Sequence, residues 1–383
     1  MSFALDWQHL GRQRQLSGEQ GLLEVIRGLE GFEAPAVEWE RSIFPQRVAN
    51  YDSCWLDALT LTGVVGWGRI SPHPAFASVG SSGPKRIIPT GMAPITFFLR
   101  EEALWMDLCL SQRQIPEANL TVCLSDLANR LRSLLGERGA MFPVELARIV
   151  GASGEDTGRA LWELVAAGLV TADGFDSLRI LVDPRRKQML TTPARVKPAA
   201  SVRNAAGRWS MLCAAAPMQE SAGEAAAKHE AQIESACMVL LRRYGVVFRD
   251  LMARETSMPR WRDLLTMFRR LEARGTVRGG RFVSGFGGEQ FAMPEALESL
   301  RERRKRNAME SPEVTCAAAD PMNLIGIVIP GERPPCIPGR TVTYPFNAAM
   351  PSEIARTEAD DLPAIPSRLF AAQPDLAEGE ALA

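Results

Sequence analysis

Residues 261–285 read WRDLLTMFRRLEARGTVRGGRFVSG and carry six arginines (262, 269, 270, 274, 278 and 281) against two acids, Asp263 and Glu272. Placed on a helix at about 100° per residue, 259–274 gathers Trp261, Leu264, Leu265, Phe268 and Leu271 on one stripe, which is a core face. The opposite face then holds Arg262, Thr266, Arg269, Arg270 and Ala273. Gly275 stands where a helix ends in the left-handed conformation, and the β-prone pair Thr276-Val277 with the following glycines starts a hairpin. Arg278 and Arg281 fall on that hairpin. A cationic helix face beside a cationic hairpin is the outline of a recognition helix and its wing. The competing reading is a solvated face whose arginines pair locally with Asp263 and Glu272.

The same grammar occurs twice upstream, in CWLDALTLTGVVGWGRISP (54–72) and RALWELVAAGLVTADGFDS (159–177). Each copy has a leucine four residues before a glycine (Leu59 and Gly63, Leu164 and Gly168, Leu271 and Gly275), then a β-prone pair and a turn. Before the second and third copies, LLGERGAMFPVELARIVG and LLRRYGVVFRDLMARE each read as a helix ending at glycine and a short second helix. The order helix, short helix, longer helix, hairpin predicts a winged helix-turn-helix, and repetition at about 100 residues means tandem domains. The fold class expected is α+β: three tandem winged helices, at 1–100, 101–183 and 217–300, plus a small antiparallel β-barrel from strands in 184–216 and 311–346. RWSML (208–212) and PEVTCAA (312–318) are among the barrel strands expected. Residues 347–383 are rich in Ala, Pro and acid, and are expected to form a disordered tail.

At 383 residues, 46% hydrophobic and 23% charged, the composition is that of a folded chain with two or three units. No apolar run is long enough to span a membrane, and MSFALDWQHLGRQRQ lacks the pattern of a secretory signal, so a cytoplasmic location is expected. Seven cysteines, odd in number and never spaced CxxC, suit neither a disulfide framework nor a zinc site. The net charge of −1 conceals an asymmetry: Leu240–Arg306 holds sixteen Lys/Arg against eight Asp/Glu. A polyanion is therefore expected on this segment and not on the whole surface.

The remaining two units act as internal controls. The second copy's helix shows Glu155, Asp156 and Glu163, and the first copy's shows Asp52 and Asp57, which phosphate would repel. On the first copy's hairpin, Trp67 and Arg69 are candidates to stack on a base and pair with phosphate, while Trp67 also reads as a core residue of its wing.

None of the five lysines (85, 187, 197, 228, 305) is followed by Ser or Thr, so there is no GxxxxGK[ST] phosphate loop and no ATP hydrolysis by that route. His9, His73 and His229 are isolated, giving neither a metal site nor a catalytic triad; no metal and no cofactor is expected. One carboxylate stands out. In CAAADPMNLIG (316–326), Asp320 follows three alanines, where it could activate water against a sugar C1′ or, as Asp-Pro commonly does, cap a turn.

Taken together, GEQGLLEVIRGLEGFEAPAVEWER, YDSCWLDALTLTGVVGWGRISP, ALWELVAAGLVTADGFDSLR, GRWSML, RRYGVVFRDLMARE, PRWRDLLTMFRRLEARGTVRGGRFVSGFGGEQFAMPEA and AADPMNLIGIVIPGERPP resemble the C-terminal region of the bacterial large helicase-related (Lhr) proteins over roughly Gln15–Tyr344. The resemblance implies a superfamily 2 ATP-dependent DNA helicase system whose motor lies upstream, followed by tandem winged helices and a β-barrel, in an arrangement that looks like the AlkZ-type DNA glycosylases. It implies DNA, or RNA, as partner, action in DNA repair, a motor encoded separately or lost, and assembly into a homo-oligomer. Two functions stay open on this reading: a nucleic-acid-binding module, or a glycosylase that removes uracil or a damaged base by hydrolysing its N-glycosidic bond.

Overall fold

The computed structural model describes residues 1–11, 13–76, 91–111, 117–176, 178–179, 207–213, 221–305 and 313–344. The segment 184–206 and the expected tail, 347–383, lie outside the described residues.

A short helix α1 (Ser2–Trp7) precedes the first unit. That unit runs α2 (Gly18–Leu29), β1 (Ala34–Pro35), a helical stretch in which a π-turn at Trp39–Ile43 joins Ala36–Glu38 to Phe44–Arg47, then α3 (Ser53–Leu61), β2 (Val65–Gly68) and β3 (Pro94–Leu99). Helix α4 (Leu104–Ser111) leads to the second unit, which holds α5 (Asp126–Arg138), α6 (Pro143–Val150), α7 (Gly154–Ala166), β4 (Val170–Ala172) and β5 (Trp209–Met211). The third unit has α8 (Ala222–Tyr244), β6 (Val246–Val247), a 3-10 turn over Arg249–Arg254, α9 (Trp261–Ala273), β7 (Arg278–Gly280) and β8 (Gln290–Ala292). It is followed by α10 (Pro294–Lys305) and the antiparallel pair β9 (Val314–Ala317) and β10 (Thr341–Tyr344).

One topology occurs three times. In each unit the last strand lies between the strand after the first helix and the strand after the third: β1-β3-β2 in the first and β6-β8-β7 in the third. In the second, Trp209 of β5 pairs with Ala172 of β4 on one side and bridges Met141 on the other. This is the winged-helix order, and the three helix-ending glycines share one backbone: φ is +81° at Gly63, +70° at Gly168 and +80° at Gly275. α+β describes the chain.

Two expectations change here. RWSML does not contribute to a barrel; it supplies the third strand of the second unit's own sheet, separated from β4 by 36 residues of chain. Among the described residues every sheet has two or three strands and none closes, so β9 and β10 form an open ribbon where a barrel was expected.

Packing joins the units unevenly. The first and second share one core, with Trp67 of β2 sandwiched against the second unit's Trp162 and Trp209 at ring-centre distances of 6.2 and 6.4 Å. The third unit builds a second core with α1, α4, Ile70, Phe98 and the β9-β10 ribbon. Between the two cores runs a set of buried ionic contacts. Arg47 grips Asp320 through both guanidinium nitrogens, at 2.6 and 2.9 Å. Arg254 donates to the Asp320 backbone carbonyl at 2.6 Å, and Arg243 reaches Glu255 and the carbonyl of Glu30.

Candidate nucleic-acid interface

The third unit's α9 is amphipathic, and the fold uses both faces. Leu264, Met267, Phe268 and Leu271 are buried, with the Phe268 ring stacked on Phe291 of β8 at 5.0 Å. Trp261 and Leu265 are half-buried at the edges of the same stripe. Met267 is the one inner-face residue that the stripe read from sequence omits. The outward face presents Arg262, Thr266, Arg269, Arg270 and Ala273, all exposed. Thr266 spends its hydroxyl on the Arg262 carbonyl at 3.2 Å.

The helix is terminated and tied to its wing by backbone geometry. Gly275 and Thr276 donate to the carbonyls of Glu272 and Leu271, closing the last turn. The Glu272 carboxylate accepts from Gly279 N–H at 3.1 Å, so close to Gly279 that a Cβ there would collide with it. At the wing base the buried Gln290 side chain accepts from Phe282 and Val283 N–H and donates back to the Val283 carbonyl, each at 2.8 Å. These bonds fix the wing that carries Arg278 and Arg281, both exposed.

Local pairing of the arginines with Asp263 and Glu272 does not occur. Instead Arg269 forks onto Glu289 of the wing (2.6 Å), Arg270 meets Glu230 (2.9 Å) and Arg274 meets Glu234 (2.6 Å), the last two acids lying one turn apart on α8. Each of these pairs is well exposed, so each is worth little and exchanges readily for a phosphate. The hydrogen bonds from Arg269 hold the Glu289 carboxyl below its ordinary range. Among the described residues, no ion pair engages Arg262, Arg278 or Arg281. Glu230, Glu234 and Glu289 were not legible as partners, because two come from another helix and one from across the wing.

The other two units lack such a face. In α7, Glu163 is spent on Ser125 N–H at the start of α5 (3.0 Å), Asp156 pairs with Arg159, and Glu155 is exposed. In the first unit Asp52 caps α3 through Cys54 N–H, and Asp57 is bound to Arg179 at 2.5 Å.

Three sequence candidates are placed where a nucleic acid cannot reach them. Trp67 is fully buried, its indole N–H donating to the Gly174 carbonyl at 3.2 Å, and it serves as the bolt between the first and second units. Its flanking glycines were the signal: a Cβ on Gly66 would strike the Phe98 ring and one on Gly68 would strike Leu212, so the face of β2 opposite Trp67 is packed as well. Arg69 is 5% exposed, and its Nε donates to the Ser71 carbonyl at 2.5 Å. Asp320 is fully buried, and its two oxygens are occupied by Arg47 and by Met322 N–H at 2.8 Å. So held, it has no oxygen left to activate a water, and it acts as a turn cap and ion-pair partner. Among the described residues no group of His, Cys, Asp and Glu could hold a metal ion, and no helix is long and apolar enough to cross a membrane.

The basic unit coincides with a known domain. Residues 226–312 match the winged-helix domain that stands fourth in large helicase-related proteins, and residues 1–78 match the one that stands third. The chain belongs with the winged-helix region of the large helicase-related proteins. It fits a C-terminal part of them. A relative from Mycolicibacterium smegmatis, named as an Lhr helicase and probable uracil glycosylase, is 30% identical over 346 residues, covering 85% of this chain and 21% of that protein. One from Escherichia coli, named as an Lhr helicase and uracil glycosylase, is 27% identical over 342 residues, covering 82% of this chain and 20% of that protein. The chain thus spans about a fifth of the length of these curated relatives.

Proposed function

We propose that this Lhr-type chain is a nucleic-acid-binding module acting in DNA repair, and that the outer face of α9 with its wing holds a sugar-phosphate backbone for an ATPase motor supplied by other residues than these. DNA is the first partner and RNA the second. The observation that carries the reading is the exposed cationic surface of Arg262, Arg269, Arg270, Arg278 and Arg281 in the one unit of three that has it. Guanidinium groups suit the two-pronged recognition of phosphate, and helix plus wing supports phosphates on two sides of one site. Fluorescence anisotropy with a labelled duplex tests it: Arg262→Glu combined with Arg269→Glu and Arg270→Glu weakens binding at least tenfold, while Arg159→Glu on the second unit changes it less than twofold. Equal losses from both would refute the assignment.

A second reading, base excision, draws support from the names of the two relatives and from one feature of the fold. A cleft of about 410 Å³ between α1, α2 and α10 is lined by His9, Arg14 and Glu24 among others. His9 sits there with a left-handed backbone, φ +57°, and burial lowers its pKa so that the imidazole stays neutral. Three carboxylates line this cleft, Asp6, Glu24 and Glu302; of these we take Glu24, bound to Arg27 and partly exposed, as the one that acts on water, in place of Asp320. On this reading Glu24→Gln abolishes alkali-revealed cleavage of uracil-containing DNA without loss of DNA affinity. No cleavage by the unaltered chain, or full cleavage by the variant, excludes Glu24 from that role.

A further inference from the structure

Beside the wing lies a groove of about 320 Å³ that the interface described above does not use. Phe3 of α1, Phe248 after β6, Phe282 of the wing, Leu300 of α10 and Val328 between β9 and β10 line it. Phe248 is buried, with Phe286 packed on it at 4.5 Å between ring centres. Phe3, Phe282, Leu300 and Val328 are half-buried, so apolar surface from four elements meets solvent at one place. A contiguous apolar surface of this kind marks an interaction site.

The charge of the groove is one-sided. Arg303 and Arg304 of α10 line it, and no carboxylate does. Arg303 is engaged with Asp6 at 3.3 Å, whereas Arg304 is exposed and, among the described residues, in no ion pair. The occupant that fits is therefore an apolar segment with acid at one end.

This chain contains such a segment. Residues 345–383 hold seven Asp/Glu against two Arg, and 360–370 read DDLPAIPSRLF. Proline fixes φ near the value of the polyproline helix, in which about three residues make a turn, so Leu362 and Ile365 fall on one edge and Pro363 and Pro366 on the next. Runs of this kind dock in aromatic-lined grooves at small entropic cost, because their extended helix is preformed. The reach is sufficient. Sixteen residues take the chain from Tyr344 to Asp360, a span of up to about 50 Å when extended. Tyr344 itself is anchored beside the groove: its hydroxyl donates to the Met322 carbonyl at 3.1 Å, two residues before the lining residue Leu324.

We infer that residues 360–370 of the same chain dock in this groove, with Leu362, Pro363, Ile365 and Pro366 against its phenylalanines and with Asp360 and Asp361 on Arg304. Docking here does not depend on the nucleic-acid role of α9.

Amide hydrogen exchange of the full chain, read by mass spectrometry beside a synthetic peptide of residues 355–383, tests the assignment. Residues 360–370 are expected to exchange at least about fivefold more slowly in the chain than in the peptide, and 371–383 equally fast in both. Ser284→Trp, which fills the groove from the wing, and Arg304→Glu, which reverses its charge, each abolish that slowing. Both positions are exposed, so neither substitution disturbs the core. Asp360→Arg combined with Asp361→Arg restores the slowing when added to Arg304→Glu. Equal rates in the unaltered chain and the peptide would mean that another partner covers the groove, and would overturn the assignment, as would slowing that persists in both groove variants. Slowing that vanishes on dilution of the protein would place the segment on a second copy and overturn docking within one chain.

Discussion

Arg47 and Asp320 stand 273 positions apart, and both are fully buried. A paired charge in a dry interior is tolerated; a charge left behind when its partner is removed is not. Asp320→Asn therefore costs about 3–5 kcal/mol, read as a lower midpoint in urea, because Arg47 keeps its charge and is deprived of the carboxylate that both its nitrogens grip. The sequence offers Asp-Pro after three alanines and nothing to identify a partner so distant, which is why a turn cap, and less readily a catalytic base, were legible there and an ion pair was not. Glu30 behaves differently. Burial pushes its carboxyl up to about 7, with the hydrogen bond from Leu99 N–H opposing. An acid whose pKa is raised on folding binds more protons folded than unfolded, so stability falls as pH rises from the ordinary carboxyl range to about 7 and is level above it. The size is roughly 3 kcal/mol at most by this linkage. Glu30→Gln should flatten that slope: its melting temperature relative to the unaltered chain rises between pH 5 and pH 8, and an unchanged difference would contradict the account.

At the scale of the element, α9 was legible because its two faces differ in kind, and its end was legible because only glycine is comfortable at Gly275. A Cβ at Gly275 would meet nothing nearer than the Arg278 guanidinium at 4.0 Å, so Gly275→Ala suffers from its φ of +80° and not from crowding. The expected cost is about 1 kcal/mol, measured by thermal unfolding; no cost would mean that the helix ends otherwise. What periodicity could not supply was the set of acids that face the arginines, since Glu230, Glu234 and Glu289 come from α8 and from the far side of the wing, next to β8. Those acids attenuate the cationic face. Glu230→Gln combined with Glu234→Gln frees Arg270 and Arg274 and should tighten duplex binding about three- to tenfold at low salt, the advantage shrinking as salt screens it. Weaker binding by this variant would mean that the acids position the arginines productively.

At the scale of the whole molecule, the three units were visible because each repeats the same helix-ending glycine and the same strand pair. Their assembly was not. β5 was assigned to a barrel because 36 residues of chain separate it from its partner β4, and adjacency along the chain is the main clue that a sequence gives to strand pairing. Trp67 looked available for stacking because the second unit that covers it is remote in sequence, with Trp209 142 positions away. Fusing two units through Trp67 leaves the third, packed on its own core with α1, α4 and the β9-β10 ribbon, as the unit whose recognition face is both open and basic. The direct test of that claim is the dependence of duplex affinity on salt. Plotted as log affinity against log salt concentration, the slope should flatten by about 1 for each phosphate that the protein no longer neutralises, hence by about 2 in the variant carrying Arg278→Ala and Arg281→Ala. An unaltered slope in that variant would show that phosphate lies elsewhere on the molecule and would contradict the account.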